Sequence, residues 1–176
     1  MIELDRRIRD TIRDIPDFPK EGVVFKDITT VLRDGELFAD IVEHFADRYR
    51  DQDVDRIVGI ESRGFIFGSA LAHELRTGLS IVRKPGKLPY DTVGVDYSLE
   101  YGTDRVEMHT DALDDSDRVV VIDDLLATGG TAAATLELID RLGAEVVEAA
   151  FVIELGFLSG RQKLDDAVKL HSITCY

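Results

Sequence analysis

The stretch whose reading decides the fold is Val119–Thr131, VVVIDDLLATGGT. Its first four residues form a β-branched run of the kind that makes a strand covered on both faces of a parallel sheet. Asp123 and Asp124 then fall at the strand's carboxyl end, which in an open α/β sheet is the edge where ligands bind. Gly129 and Gly130 permit backbone conformations that side chains forbid, and a helix is expected from Ala132 to Leu142, stopped at Gly143. The unsatisfied N–H groups at the start of that helix and the positive end of its dipole make an anion cradle, to which Thr128 and Thr131 add hydroxyl donors.

Such a cradle can hold a phosphate monoester without any lysine. A Walker loop is excluded, because no Gly-Lys-Ser/Thr occurs here, and no G-x-G-x-x-G follows a strand. Asp123 and Asp124 cannot share the phosphate, since like charges repel; they need hydrogen-bond donors, and the two hydroxyls of a ribose supply them a few ångströms from a 5′-phosphate. The stretch therefore spells ribose 5-phosphate. Fixed carboxylates at that place also lower the barrier to breaking a bond at C1′, where positive charge builds on the sugar ring. Taken singly, an Asp pair can merely cap a turn and a Gly-Gly merely close a loop; the conjunction of strand, Asp-Asp, Thr-Gly-Gly-Thr and helix is much more specific.

The length of 176 residues suits one domain with a substantial core, spanning 1–176. The opening MIELDRRIRDTI mixes acids with bases and reads as an amphipathic helix rather than a signal peptide or membrane span. A lone Cys175 leaves no intramolecular disulfide to form, and both facts suit the cytoplasm. The net charge of −14 argues against nucleic acid as a partner. Asp outnumbers Glu and Arg outnumbers Lys, which fits either a high-salt cytoplasm or an ordinary solubilising surface. Against this acidic trend, Glu61–Tyr90 carries Arg63, Arg76, Arg83, Lys84 and Lys87 but only Glu61 and Glu74 as acids. An acidic protein that holds a polyanion needs such an island, because attraction is set by charges within about 8 Å in physiological salt.

Along the chain, DIPDFPKEGVVFKDIT is broken by two prolines and a glycine and reads as a loop or short hairpin with an extended run from Val23 to Ile28. Leu37, Ile41, Val42, Phe45 and Tyr49 lie at helical spacing, so a helix is expected over 35–49, leading to the strand RIVGI and the loop ESRGF. A helix from about Phe65 to Leu75 and the strand LSIVR follow. KPGKLPYDTVGVDYSLEYG has no sustained period and reads as a long loop or irregular lid around short strand pieces. Strand-like RVEMHTDAL, the strand EVVEAAFVI, a short helix near Ser159–Leu164 and a last strand AVKLHSI complete an α/β domain with a mainly parallel central sheet flanked by helices. His44, His73, His109 and His171 lack ligand spacing and are assigned no metal.

VVVIDDLLATGGT resembles the phosphoribosyl-diphosphate signature of the type I phosphoribosyltransferases, and DFPKEGVVFKDIT, ESRGF, RKPGKLP and YSLEYG together are similar to blocks of the adenine-using members of that family, in the family's order from Asp17 to Thr131. The resemblance implies a type I phosphoribosyltransferase fold, with an N-terminal arm and base-binding hood over 1–34, a core over 35–176 and a flexible lid. It implies transfer of ribose 5-phosphate from 5-phosphoribosyl-1-diphosphate to adenine, giving AMP and diphosphate in purine salvage, with magnesium carried by the substrate, no dedicated metal ligands, and a homodimer. Ala127, Thr128, Gly129, Gly130 and Thr131 would then hold the 5′-phosphate, and Asp123 and Asp124 the ribose hydroxyls. Glu61, Ser62 and Arg63 would form the diphosphate loop, with a cis peptide expected between Glu61 and Ser62. Lys84 would join Lys87 and Arg83 in binding the diphosphate, Arg83 in this family acting across a dimer interface.

For the base, the backbone edge of Val24, Phe25 and Lys26 would read adenine's amino group and N1 while Phe25 stacks on the ring. Relatives that use hypoxanthine and guanine commonly have an acid at position 127 to handle the proton on the purine's N7, which Ala127 cannot do. In the adenine enzymes that acid lies in the lid, so Glu100 is the expected proton acceptor, with Tyr97 and Tyr101 closing the site; such help is typically worth about 10² to 10⁴ in rate. Two other functions remain open at this stage: a phosphoribosyltransferase for xanthine or hypoxanthine, and a non-catalytic sensor of phosphoribosyl diphosphate.

Overall fold

A computed structural model describes residues 2–98, 102–164 and 167–176. The expected roles of Glu100 and Tyr101 lie outside these residues. The elements in chain order are α1 (Ile2–Thr11), β1 (Arg13–Pro16), β2 (Val24–Asp27), α2 (Thr29–Arg33), α3 (Gly35–Tyr49), β3 (Arg56–Ile60), α4 (Gly64–Leu75), β4 (Gly78–Val82), β5 (Thr92–Ser98), β6 (Thr103–His109), β7 (Arg118–Leu126), α5 (Gly130–Leu142), β8 (Glu145–Glu154) and β9 (Leu170–Cys175).

Five strands form the central sheet in the order β4-β3-β7-β8-β9, and each neighbouring pair runs parallel. The strand order reverses between β3 and β7, whose carboxyl ends lie side by side. A crevice opens at that point in a doubly wound sheet, because the connections leave in opposite directions.

The valine run shows why this sheet is covered twice. Val120 and Ile122 pack into one cluster with Ile41, Phe45, Ile57, Phe67 and Leu71, while Val119 and Val121 pack into the other with Val58, Val95, Val106, Met108 and Leu138. Successive side chains of a strand point to opposite faces, so an unbroken apolar run is needed when helices α1–α4 lie on one side and α5 with the β5–β6 ribbon on the other. All four side chains are fully buried, and at about 1.5 to 3 kcal/mol each they anchor the strand that carries the acids.

The strand continues further than the apolar run. Asp123 and Asp124 lie within β7, which ends at Leu126, with Asp123 registered against Phe151 and Leu125 against Ile153. The sequence reading placed the acids at the strand's end because the β-branched run stops at Ile122; here the pairing with β8 carries the strand past them. The segment read as an irregular lid is also more regular than expected: β5 and β6 form an antiparallel ribbon with seven registered pairs, from Thr92 opposite His109 to Ser98 opposite Thr103. Cross-strand pairing, invisible to a single-strand period, supplies that order. The hairpin expected near the N-terminus is present as β1–β2, with Ile15 opposite Phe25.

Candidate active site

Two loops meet at the switch point between β3 and β7. The first, Glu61-Ser62-Arg63, leaves β3 and enters α4, and the Glu61–Ser62 peptide is cis, as expected. Gly64, which the sequence reading gave no role, lets α4 start against β7: a Cβ there would lie 2.7 Å from the Ile122 carbonyl oxygen and 2.8 Å from Asp123 Oδ1. The second begins with Asp123 and Asp124, still within β7, and runs through the turn after Leu126 to Ala132 in α5. Together they line a cavity of about 430 Å³, whose walls include Glu61, Ser62, Arg63, Lys84, Asp123, Asp124 and the run from Ala127 to Thr131. Most residues assigned to phosphoribosyl diphosphate from the sequence thus share one crevice.

The glycine turn leads into α5, which begins at Gly130, two residues earlier than the pattern suggested. Gly129 precedes it at φ +79°, a left-handed conformation that glycine adopts without penalty. The helical ladder opens with the Ala133 N–H donating to the Gly129 carbonyl at 2.9 Å, which leaves the preceding N–H groups directed out of the helix end. The loop is held from behind by a residue far away in sequence. A Cβ on Gly129 would lie 2.3 Å from the Gly160 carbonyl oxygen, and a Cβ on Gly160 would lie 2.2 Å from the Ala127 carbonyl oxygen. Gly160 carries no signal in the sequence, because its requirement comes from backbone pressed against backbone.

The charges are arranged in carboxylate–cation pairs. Arg63 Nε donates to Asp124 Oδ2 at 2.8 Å, and the same guanidinium lies 5.3 Å over the Phe25 ring. The β1–β2 hairpin therefore touches the Glu61–Arg63 turn through Arg63. Glu61 accepts from Lys87 Nζ, from Arg83 Nε at 3.2 Å and from the Lys84 N–H at 2.9 Å. Burial alone would raise the Glu61 carboxyl, but those donors outweigh it and hold it below the ordinary range. Arg83 and Lys87 reach the site through Glu61, which lines the crevice while they stand behind it.

Asp123 and Asp124 behave differently. Burial, then the neighbouring Asp124 charge, pushes the Asp123 carboxyl well above the usual carboxylate range. Burial raises Asp124 as well, against the opposing pull of Arg63. Two carboxylates held this close and this dry call for donors, and a ribose diol is a fitting pair.

Tyr97 and Lys84 tie the ribbon to the cradle. Thr131 Oγ1 donates to the Tyr97 hydroxyl at 3.0 Å, Lys84 Nζ donates to the same oxygen at 2.6 Å, and that hydroxyl in turn donates to Asp104 Oδ2 at 2.9 Å. Lys84 Nζ also pairs directly with Asp104. Asp104 was missed from sequence, as one acid among many on a strand. Among the described residues β2 has a strand neighbour, β1, on one side only, so its outer backbone edge is unpaired by any strand. Lys26 offers that edge its backbone alone, since its Nζ bonds Asp14 at 2.7 Å and lies 4.0 Å over the Tyr176 ring.

Among the described residues no group of three or more His, Cys, Asp or Glu is gathered as a metal ion would require, and no helix is long and apolar enough to cross a membrane. His44 and His171, unassigned from sequence, meet on the far side of the fold with their Nε2 atoms 2.9 Å apart.

Comparison with known proteins agrees with this geometry. The phosphoribosyl transferase domain family matches residues 29–173. An adenine phosphoribosyltransferase of Syntrophotalea carbinolica is 60% identical over 157 residues, covering 89% of this chain and 92% of that one. The crystal structure of an adenine phosphoribosyltransferase from Rhodothermus marinus superposes with a TM-score of 0.95 at 48% identity, covering 100% of both chains. The Saccharomyces cerevisiae enzyme, solved in complex with an iminoaltritol bisphosphate and adenine, superposes with a TM-score of 0.92 at 37% identity over 98% of this chain and 99% of that one. Matched over nearly its whole length by these proteins, this chain belongs to the phosphoribosyltransferase family and groups within it among the adenine phosphoribosyltransferases.

Proposed function

We propose that the protein is an enzyme of purine salvage, a pentosyltransferase that converts adenine and 5-phosphoribosyl-1-diphosphate to AMP and diphosphate. The observation that carries this reading is the crevice between β3 and β7, where the turn Ala127–Thr131, the acids Asp123 and Asp124 and the Arg63-bearing turn line one cavity, with Phe25 seated against the Arg63 guanidinium. Its support from relatives is broad, since adenine phosphoribosyltransferases match most of the chain at half identity or more.

In this reading the N–H groups and hydroxyls of Ala127–Thr131 bind the 5′-phosphate, and Asp123 and Asp124 accept from the ribose hydroxyls. The bond from C1′ to the diphosphate oxygen breaks as the bond from C1′ to the purine nitrogen forms, and the purine proton passes to Glu100. The two carboxylates stabilise the positive charge that builds on the ring between those events. Arg63, Lys84 and Lys87, with Arg83, bind the diphosphate and hold its charge as it leaves. Val24, Phe25 and Lys26 position the base, Phe25 by stacking, and Tyr97 and Tyr101 close the lid. Residues 1–34 act as arm and hood, and 35–176 as the core.

Magnesium accompanies the substrate. This hard ion keeps waters and substrate oxygens as ligands and needs few from the protein. Bound there, it supplies charge neutralisation for the departing diphosphate. A homodimer and a cytoplasmic location complete the proposal; the exposed Ile66 on α4 and Leu79 on edge strand β4 support a subunit contact on that side.

The test is product formation with magnesium and 5-phosphoribosyl-1-diphosphate, offering adenine, hypoxanthine, guanine and xanthine separately and assaying nucleotide and diphosphate. AMP from adenine alone is expected. Turnover of another base would overturn the role of Val24–Lys26, and binding of the sugar diphosphate without turnover of any base would make the protein a sensor.

A further inference from the structure

The cations of the crevice are each matched by a carboxylate of the chain itself: Arg63 by Asp124, Arg83 and Lys87 by Glu61, and Lys84 by Asp104. Glu61 and Asp124 belong to the two segments that build the site, the turn after β3 and the end of β7. Asp104 does not; it comes from β6, in a ribbon that packs on α5 outside the sheet. It nonetheless reaches Lys84, which lines the cavity.

We infer that Asp104 is a positioning residue, a resident counter-charge that holds Lys84 while the diphosphate subsite is empty and takes it back when diphosphate leaves. The inference rests on the function proposed above. Its geometry is specific. Lys84 Nζ is held by both Asp104 and the Tyr97 hydroxyl, and the hydroxyl is shared with Thr131 of the cradle. The ammonium is thereby fixed beside the crevice and cannot sweep through solvent on its four-carbon stem. A diphosphate oxygen entering the crevice competes with the Asp104 carboxylate for that ammonium, so each binding event breaks one ion pair and each release restores it. The lysine's attraction for the polyanion is weakened in both directions of the cycle. Because side chains of both partners are about a third exposed, 33% for Lys84 and 31% for Asp104, the exchange needs no rearrangement of the core.

A merely structural Asp104 and a competing one predict opposite signs. If the carboxylate only braced the ribbon, removing its charge would loosen Lys84 and weaken binding. If it competes, Asp104→Asn frees Lys84 for the ligand and tightens binding by about 1.5- to fivefold, the worth of a partly exposed ion pair. The probe is inorganic diphosphate with magnesium, titrated calorimetrically into the intact wild-type protein, Asp104→Asn and Asp104→Glu, alongside 5-phosphoribosyl-1-diphosphate. Tighter binding of both by Asp104→Asn is expected, with Asp104→Glu near wild type and a lower KM for the sugar diphosphate relative to kcat. In a Lys84→Met background the substitution Asp104→Asn should change nothing, because the effect runs through the lysine. Equal or weaker binding by Asp104→Asn, or the same gain in the absence of Lys84, overturns the inference alone. Failure of the wild type to bind either ligand would instead overturn the proposed function and this inference with it.

Discussion

Gly160→Ala tests whether the phosphate cradle is shaped from behind. Gly160 is buried in the 3₁₀ turn Gly160–Lys163, and an added methyl would stand 2.2 Å from the Ala127 carbonyl oxygen and 3.1 Å from both the Ala127 carbonyl carbon and the Gly129 nitrogen. Ordinary van der Waals contact for such a methyl begins at about 3.4 Å, so a little over 1 Å of space must open between two stretches of backbone. No flexible side chain is present to yield. Overpacking of this kind costs about 1 to 3 kcal/mol, which in a domain of this size lowers Tm by about 2 to 4 °C per kcal/mol. The functional effect should exceed the stability effect, because displacement falls on Ala127–Gly129, and a misplacement of about 1 Å at a reacting centre can cost on the order of 100-fold. Thermal unfolding and steady-state kinetics read the two separately. The expected result is a modestly lower Tm with KM for 5-phosphoribosyl-1-diphosphate raised at least tenfold and KM for adenine little changed. A variant with wild-type Tm and wild-type KM would refute the claim that this contact shapes the cradle.

Glu100→Gln should lower kcat by about 10² or more while leaving substrate KM values within a few fold, and unchanged turnover would remove Glu100 from proton transfer. Because burial and Asp124 raise the Asp123 carboxyl well above its ordinary value, the acid limb of kcat/KM for the sugar diphosphate should lie above the usual carboxylate range. Binding falls as pH drops through that raised pKa, and Asp123→Asn should abolish the limb while lowering activity; an unchanged limb in the variant would assign it elsewhere. Away from the site, burial first, then the charges of Arg48 and His44, lowers the His171 imidazole to about 4 from 6.5, with Glu148 opposing and Arg161 adding to the shift. The unfolded chain then takes the proton first, so stability present above pH 6.5 is lost as pH falls toward 4, by about 1 to 3 kcal/mol after allowing for partial exposure. Thermal unfolding of wild type and His171→Gln between those pH values should show a shallower acid slope in the variant, and parallel slopes would count against it.

Much of this was legible in the sequence because the signals were local. An unbroken run of four β-branched residues can only suit a strand covered twice, and Val119–Ile122 divide between the two cores in strict alternation. Two acids followed by glycines and a helix start describe a cradle by composition alone, and the structure places Asp123, Asp124 and Ala127–Thr131 around one crevice. The helix over 35–49 and the strand Arg56–Ile60 fall where their periodicity predicts.

What the sequence could not determine depends on which atoms meet across long separations. β5 looked irregular because its order comes from β6 and α5, and the strand β7 outran its apolar residues because β8 lies beside it. Gly160 is required by a carbonyl more than thirty residues earlier, and Asp104 acts on a lysine twenty residues before it. The pairing of Arg63 with Asp124 and its seat over Phe25 likewise join three separate segments. Residue type and spacing determined which chemistry this chain can perform, since those act within a turn or a strand. Only the tertiary structure decided which cation faces which carboxylate and how closely two backbones approach, because both follow from the packing of elements that no local period encodes.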